Sequence, residues 1–174
     1  MYELFEVNPS KSYKGLNDSV IINVNGKTPY VSNQSRNNGY IGWSNLEPLN
    51  EGNVITLSDT WQSERTIFYQ PKEFIGKSHL QVMKYRNNNF DKYIAWFIIS
   101  TFRKAILDMR YDYGMKFNRE RIKNTKICLP VGDDNKPDFE FMKLLIFSTQ
   151  KIVIKNVVEW LDKRIQATKQ VISK

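Results

Sequence analysis

The charged side chains near residue 140 are the first place where residue types permit catalysis. Asp138, Glu140 and Lys143 follow Pro137, and metal-dependent nucleases use acidic residues and a lysine to hold a metal and polarise the phosphate. That arrangement needs the Glu and the Lys two residues apart on a strand. Here they are three apart, where a carboxylate suits the first turn of a helix. We therefore predict helix capping and keep a small metal-dependent nuclease as an alternative.

The other candidates for catalysis lack the residues that would complete a site. His79 is the only histidine and has no second His and no Cys nearby in sequence for metal binding. Asn8-Pro9-Ser10 begins like an amino-methyltransferase motif but lacks the aromatic residue that stacks a flipped base. No glycine-rich loop follows a predicted strand. We expect a non-catalytic chain with no metal or cofactor, and Cys128 as a buried, inert thiol.

Two polar loops and a basic segment carry the side chains that bind nucleic acid. With 26 Lys+Arg against 18 Asp+Glu, the chain has a formal net charge of +8, which favours an anionic partner. Asn and Gln pair with adenine, and Arg with guanine, in the major groove. The base-reading candidates are Asn33, Gln34, Ser35, Arg36, Asn37 and Asn38 in a first loop (residues 33–38) and Arg86, Asn87 and Asn88 in a second loop (residues 84–89). The candidates for the DNA backbone are Lys84, Lys116, Arg119, Arg121 and Lys123.

The elements that must position these loops are short. Alternating or β-branched runs bounded by Gly, Pro and Asn predict strands, and helical spacing of apolar residues predicts one helix over residues 91–109. The predicted strands lie within residues 18–24, 28–32, 40–43, 54–57, 66–69, 79–83 and 127–131.

The segment after Pro137 predicts one long helix. Asp138 is a suitable N-cap, and no Gly or Pro follows; such a helix would be on the order of 50 Å long. Apolar residues recur at spacings of four and three, a heptad pattern that indicates pairing with another helix. The predicted interface residues are Ile154, Val158, Leu161, Ile165 and Ile172.

Five segments in order are similar to a known family. Pro29-Tyr30-Val31-Ser32 with Asn37-Asn38-Gly39 and Ile41-Gly42 resembles the signature of type I restriction-modification specificity subunits and of related components of bifunctional type II enzymes. The further matches are residues 53–57, residues 68–71 with 74–75, residues 113–116, and residues 127–131 with 137–142.

The resemblance implies an α+β target-recognition domain with a mixed β-sheet, expected over residues 1–136, and a spacer helix over residues 137–174. Such a domain reads a half-site of a split DNA target, and its helix pairs antiparallel with another. Methylation and cleavage belong to methyltransferase and restriction subunits, which use S-adenosylmethionine and, for cleavage, ATP and Mg²⁺.

One departure from the family pattern concerns the number of domains. The usual subunit has two recognition domains and two helices, whereas this chain has one of each. It is either a half-subunit that dimerises through the C-terminal helix or a fragment of a longer protein. In a two-fold dimer, the target would be an interrupted palindrome.

We therefore expect a cytoplasmic specificity component that directs methyltransferase subunits to double-stranded DNA. The sequence has no apolar run long enough for a membrane span. The alternatives from other classes are the nuclease above and a protein-interaction adaptor that acts through the long helix alone.

Overall fold

The computed structural model describes residues 1, 3–60, 63–108 and 117–172. They form two compact units, Met1–Leu129 and Pro130–Lys174. The boundary expected after residue 136 stays a prediction.

The first unit contains seven strands and three α-helices within its described residues. The strands are β1 (Phe5–Pro9), β2 (Thr28–Val31), β3 (Tyr40–Ser44), β4 (Val54–Ser58), β5 (Phe68–Gln70), β6 (Ile75–Gly76) and β7 (Leu80–Tyr85). The helices are α1 (Asp18–Ile21), α2 (Lys92–Asp108) and α3 (Arg119–Asn124). The second unit consists mainly of α4 (Phe139–Ile172). The expected α+β class with a long C-terminal helix is confirmed.

A four-stranded antiparallel sheet in the order β1-β7-β4-β5 forms the centre of the first unit. All five residues of β4 are buried, so both faces of this sheet are covered. On one face, Val54 and Leu80 pack with Val31 of β2 and with Phe74, the residue before β6. Helix α2 packs against β4 and β5. This sheet is therefore the rigid support for the segments that leave its ends.

The smaller sheet has the order β3-β2-β6 and pairs β2 with β6 in parallel. Tyr30 and Ile75 cluster with Ile21 of α1. Because parallel strands run in the same direction, the chain leaves β2 and β6 at the same edge. The Lys77 amide accordingly donates to the Val31 carbonyl at 2.9 Å. The first loop and the Lys77–His79 segment thus start side by side.

Aspartate side chains cap the N-termini of α2 and α4, where the sequence predicts that these helices begin. Asp91 Oδ1 accepts from the Tyr93 and Ile94 amides at 2.9 and 3.0 Å. Asp138 Oδ1 accepts from the Phe141 amide at 2.9 Å, which confirms the predicted N-cap of α4. No helix in the described parts of the chain is long and apolar enough to cross a membrane.

Three local expectations were wrong. Residues 18–21 form a helical turn instead of a strand, because Ile21 is buried there while Asp18 reaches Tyr30. Residues 127–131 form no strand; only an isolated bridge joins Val131 to Pro137. Cys128 is exposed, since no strand places it against a sheet.

Candidate nucleic-acid interface

The end of the first loop has an unusual backbone. Asn37, Asn38 and Gly39 all have positive φ, at 49°, 53° and 79°. Asn and Gly are the residues that adopt this left-handed region at least cost. The Ser32 amide donates to the Gly39 carbonyl at 2.8 Å and closes the loop at its base. The Asn37-Asn38-Gly39 motif is therefore explained by backbone conformation.

Three amide side chains of the first loop are used within the protein. Asn38 Nδ2 donates to the Tyr69 carbonyl at 3.0 Å and to Gln70 Oε1 at 3.3 Å. Asn37 Nδ2 donates to the Tyr40 carbonyl at 3.2 Å, and Gln34 Nε2 donates to the same oxygen. These contacts fix the loop on edge strand β5 and on the start of β3.

The other three side chains of the first loop face solvent. Asn33, Ser35 and Arg36 are exposed. None of the three side chains makes a hydrogen bond or ion pair within the residues that the structure describes. The guanidinium donors of Arg36 are thus available to a ligand, on a loop that neighbouring amide side chains fix to the protein.

Several side chains around the start of β7 form a connected polar network. His79 Nδ1 lies 3.4 Å from Asp59 Oδ1, and Gln81 Nε2 donates to Asp59 Oδ2 at 2.6 Å. Arg119 Nε donates in turn to Gln81 Oε1 at 3.2 Å. Through Lys77 and His79, this network is continuous with the edge where β2 ends. Gln81 pairs with Leu57 of β4, whereas Tyr69 and Gln70, the partners of Asn38, pair with Ile55 and Val54. Arg119 is therefore held toward the other end of β4 from the attachment of the first loop.

Helix α3 presents the remaining basic candidates in the described chain. Asn118 caps it by accepting from the Arg121 amide at 3.0 Å. Ile122 is buried, whereas Arg119 is exposed and Arg121 and Lys123 are partly exposed. A short helix fixed by a buried Ile thus holds three cations at the surface. Lys116 lies outside the described residues.

The second loop leaves the opposite end of β7. Gln81, which holds Arg119, and Arg86 are five residues apart along the chain, or roughly 17 Å along an extended strand. Lys84 is ion-paired with Glu51, and Arg86 Nη1 lies 3.4 Å from Glu6 Oε1. Asn87 and Asn88 are exposed. The second loop thus leaves β7 at the end away from Gln81 and Arg119. Tyr69, the partner of Asn38, is nearer to that end, because Tyr69 and Met83 both pair with Ile55.

Tyr69 connects the regions around the two loops. Its carbonyl accepts from Asn38, and its hydroxyl donates to Asn53 Oδ1 at 2.9 Å. Asn53 Nδ2 then donates to the Phe90 carbonyl at 3.0 Å. Burial raises the pKa of Tyr69, with Asp91 adding to the shift. The phenol therefore stays a neutral hydrogen-bond donor at physiological pH.

Arg103 is a basic residue that the sequence analysis missed. It projects from α2 toward edge strand β5, where its Nη2 donates to the Ile67 carbonyl at 2.7 Å. Its guanidinium carbon lies 5.9 Å from the Phe68 ring centroid. A partly buried Arg on a helix with an apolar face is the signal that could have drawn attention to it.

A cluster around Asp18 holds the edge from which the first loop starts. Asp18 Oδ1 accepts from the Tyr30 hydroxyl at 2.9 Å, and Lys77 pairs with Oδ2. The hydrogen bonds from Lys77 and Tyr30 lower the pKa of Asp18. Burial and Asp18 raise the pKa of Tyr30 to about 12.

The residues of the nuclease alternative have structural partners. Asp138 caps α4, and Glu140 Oε1 pairs with Lys143 Nζ at 3.0 Å one turn later. Among the described residues, no group of three or more His, Cys, Asp or Glu side chains is arranged to hold a metal ion.

The predicted interface residues of α4 are all exposed. The exposed fractions are 55% for Ile154, 49% for Val158, 45% for Leu161, 51% for Ile165 and 78% for Ile172. Trp160 beside them is 53% exposed. Exposed apolar rows of this kind are typical of interaction surfaces, and the interface on α4 stays a prediction.

Comparison with known proteins identifies relatives. The chain is 27% identical over 137 residues to S.BcgI, the specificity subunit of a type II restriction enzyme from Heyndrickxia coagulans, covering 77% of this chain and 39% of that one. Its fold is similar to the crystal structure of a type I restriction-modification system S subunit from M. genitalium. That match has a TM-score of 0.57 at 16% identity and covers 90% of this chain and 40% of the other. The chain thus spans about two fifths of the length of both relatives.

The description of the family agrees with the class of protein that the sequence predicts. The type I restriction modification DNA specificity domain matches residues 1–159, most of the chain. Such a domain is the non-catalytic DNA-recognition component of a restriction-modification system. This confirms the expectation that the chain is a specificity component. The chain belongs to the type I restriction-modification DNA specificity domain family.

Proposed function

We propose that this chain recognises one half of a split DNA sequence and directs methyltransferase subunits to it. Family membership supports recognition of a DNA target. The observation that carries the residue assignment is the first loop, whose amides are tied to the protein while Arg36 is left exposed. A loop fixed at both flanks can place a guanidinium in the major groove with little loss of entropy on binding.

Within this proposal, the first loop divides into two sets of residues. Asn33, Ser35 and Arg36 contact bases, because they are exposed and have no partner among the described residues. Gln34, Asn37 and Asn38 position them, because their amides already bond to Tyr40, Tyr69 and Gln70. A bidentate pair from Arg36 to guanine would contribute about 1–3 kcal/mol of discrimination.

We assign the DNA-backbone contacts to α3. Arg119 is exposed and is held through Gln81 of β7. Arg121 and Lys123 lie on the same helix. Basic side chains at a fixed distance from a reading loop set its register on the duplex. The second loop is the weaker candidate for base contacts, since Lys84 and Arg86 have carboxylate partners.

Helix α4 supplies the assembly surface in this proposal. Its 34 residues extend about 50 Å and leave an apolar row open to a second helix. Because the chain spans about two fifths of its relatives, a two-fold dimer would restore two recognition domains and two helices. Its target would then be an interrupted palindrome. Partner subunits would supply S-adenosylmethionine chemistry and, for cleavage, ATP and Mg²⁺.

Selection of duplexes from a random pool, followed by titration of the selected and scrambled sequences, tests this proposal. If about six phosphates are neutralised, log Kd should change with log salt at a slope of magnitude near 5. The variants R36K and R36A should lose about tenfold or more in discrimination, since neither keeps the bidentate fork. N88A, in the second loop, is the matched control and should discriminate like the wild type.

The outcomes separate the function from the residue assignment. A wild-type chain with no sequence preference, alone or with its methyltransferase, would remove the proposed function. Full discrimination by R36K and R36A would remove only the assignment of Arg36. Loss of discrimination in N88A alone would transfer base reading to the second loop.

A further inference from the structure

Arg103 is a cation without a carboxylate partner in the described part of the chain. Within the described residues, its contacts are one hydrogen bond to the Ile67 carbonyl and a cation–π contact with the Phe68 ring, whose centroid is 5.9 Å from the guanidinium carbon. Its Nε is buried and has no hydrogen-bond partner. Burial lowers the pKa of the guanidinium, but an arginine in a protein stays charged.

This arrangement is unfavourable for the free protein. A partly buried charge loses hydration, and an unpaired buried N–H adds a further penalty. If the side chain at position 103 served only to pack on Phe68, an uncharged residue would do so without the cost of burying a charge. Retained strain or an unsatisfied charge is characteristic of binding sites, where the ligand supplies the missing partner.

The position of Arg103 connects this charge to the first loop. Phe68 lies between the two: a methyl group added to Gly39 would lie 3.5 Å from Phe68 Cδ2. The next residue along β5, Tyr69, accepts the hydrogen bond from Asn38. The guanidinium is therefore held just before the start of edge strand β5, and the first loop is held on the strand itself.

We propose that Arg103 binds a phosphate of the DNA backbone next to the bases contacted by the first loop. This inference rests on the proposed function. The guanidinium offers planar donors that match phosphate oxygens, and a phosphate would provide the anion that the protein does not. Phe68 and the Ile67 carbonyl hold the guanidinium in place before DNA arrives.

The experiment compares the salt dependence of DNA binding by the wild type, R103M and K104M. Lys104 follows Arg103 on α2 but is exposed, so K104M removes the same charge away from β5. Each phosphate contact contributes about 0.9 to the slope of log Kd against log salt. R103M should reduce the magnitude of that slope by about one, and K104M should leave it unchanged. R103K should keep the slope but bind several-fold more weakly, because an ammonium cannot form the bidentate contact.

Every result bears on the proposal. An unchanged slope in R103M, at whatever thermal midpoint, would overturn it, because a purely structural role changes stability and not the number of phosphates neutralised. If R103M does not fold, R103Q replaces it in the same measurement, because glutamine is neutral but retains a donor for the Ile67 carbonyl. Unfolding of both neutral variants would assign Arg103 a structural role and reject the proposal. A wild type without salt-dependent binding would instead remove the proposed function.

Discussion

Asn38 and Gln70 exchange hydrogen bonds at the edge of the larger sheet. Asn38 Nδ2 donates to Gln70 Oε1 at 3.3 Å, and Gln70 Nε2 donates to the Asn38 carbonyl at 3.1 Å. Gln70 is buried and also donates to Thr56 Oγ1 at 2.9 Å. A buried amide with partners on both of its atoms fixes the turn to β4 and β5.

The pair N38G and N38A should separate the two contributions of Asn38 to folding. Glycine keeps the positive φ but loses the amide contacts, which should cost about 0.5–1.5 kcal/mol. Alanine also loses the tolerance for φ of 53°, which should cost roughly a further 1–2 kcal/mol. Urea unfolding of the full chain measures both changes.

N33A is the control for Asn38. Asn33 is exposed in the same loop, so its replacement should change the free energy of unfolding by less than about 0.5 kcal/mol. Equal stabilities of N38G and N38A would show that backbone conformation does not explain the motif.

A double-mutant cycle between Gln81 and Arg119 should reveal whether their contact positions Arg119 for DNA. R119M removes one phosphate contact, so the salt slope should fall by about one. Q81M removes the acceptor that orients Arg119 and should weaken DNA binding on its own. Because both changes act on one contact, their effects should be non-additive, with a coupling of about 1 kcal/mol.

K72M is the matched control for this cycle. Lys72 is exposed after the end of β5, away from the Gln81–Arg119 contact, and its replacement should leave the salt slope unchanged. Additive effects of Q81M and R119M would indicate that Gln81 does not position Arg119.

The pH dependence of stability should show the role of Asp18. Its pKa is lowered from 3.8 in the folded chain, so its contribution is complete above that value and disappears as pH falls through the folded pKa. The thermal midpoint of the wild type should exceed that of D18N at neutral pH, and the difference should close in acid. The difference in thermal midpoint should be small, because the Asp18 side chain is 47% exposed and water screens its charge.

Titration of Tyr30 gives a second measure of the same contact. The Tyr30 pKa of about 12 should fall in D18N, because a nearby carboxylate and its hydrogen bond favour the neutral phenol. Ultraviolet absorbance follows the phenolate. E73Q, which changes an exposed carboxylate, should leave the Tyr30 titration unaltered; an equal shift in both variants would contradict the local explanation.

The apolar row of α4 predicts an oligomer. V158E/L161E places two charges in the row and should convert the wild-type dimer to a monomer in light scattering, because a buried unpaired charge is costly. The matched control N156E/Q166E adds the same charge at exposed positions outside the row and should stay dimeric. A wild-type chain that is monomeric at high concentration, alone and with methyltransferase, would contradict this role.

The elements that follow simple periodicity were predictable from the sequence. Helix α2 buries Ile94, Ile98, Phe102 and Ile106 as its spacing predicts. Residues 18–21 were not predictable, because a β-branched run adopts a helical turn when tertiary contacts require it. Strand β1 was missed although Phe5 and Val7 alternate with polar residues and are buried.

The types of residue in the candidate site were predictable from the sequence, but their arrangement in space was less predictable. Polar loops and a basic segment are visible in sequence, but their positions depend on long-range pairing. The parallel contact of β2 with β6 brings Lys77 to the start of the first loop, and Gln81 holds Arg119 beside β7. The sequence shows Arg103 on a helix with an apolar face, but its contacts with Ile67 and Phe68 depend on the fold.

The hydrogen bonds of Gln34, Asn37 and Asn38 have a consequence for how such a module diversifies. The three residues that attach the first loop to the sheets are thus different from the three exposed residues at positions 33, 35 and 36. Substitutions at those three positions need not disturb the backbone, so new target preferences can arise without a compensating change in the sheets. A small library randomised only there should yield mostly folded proteins with altered sequence preference.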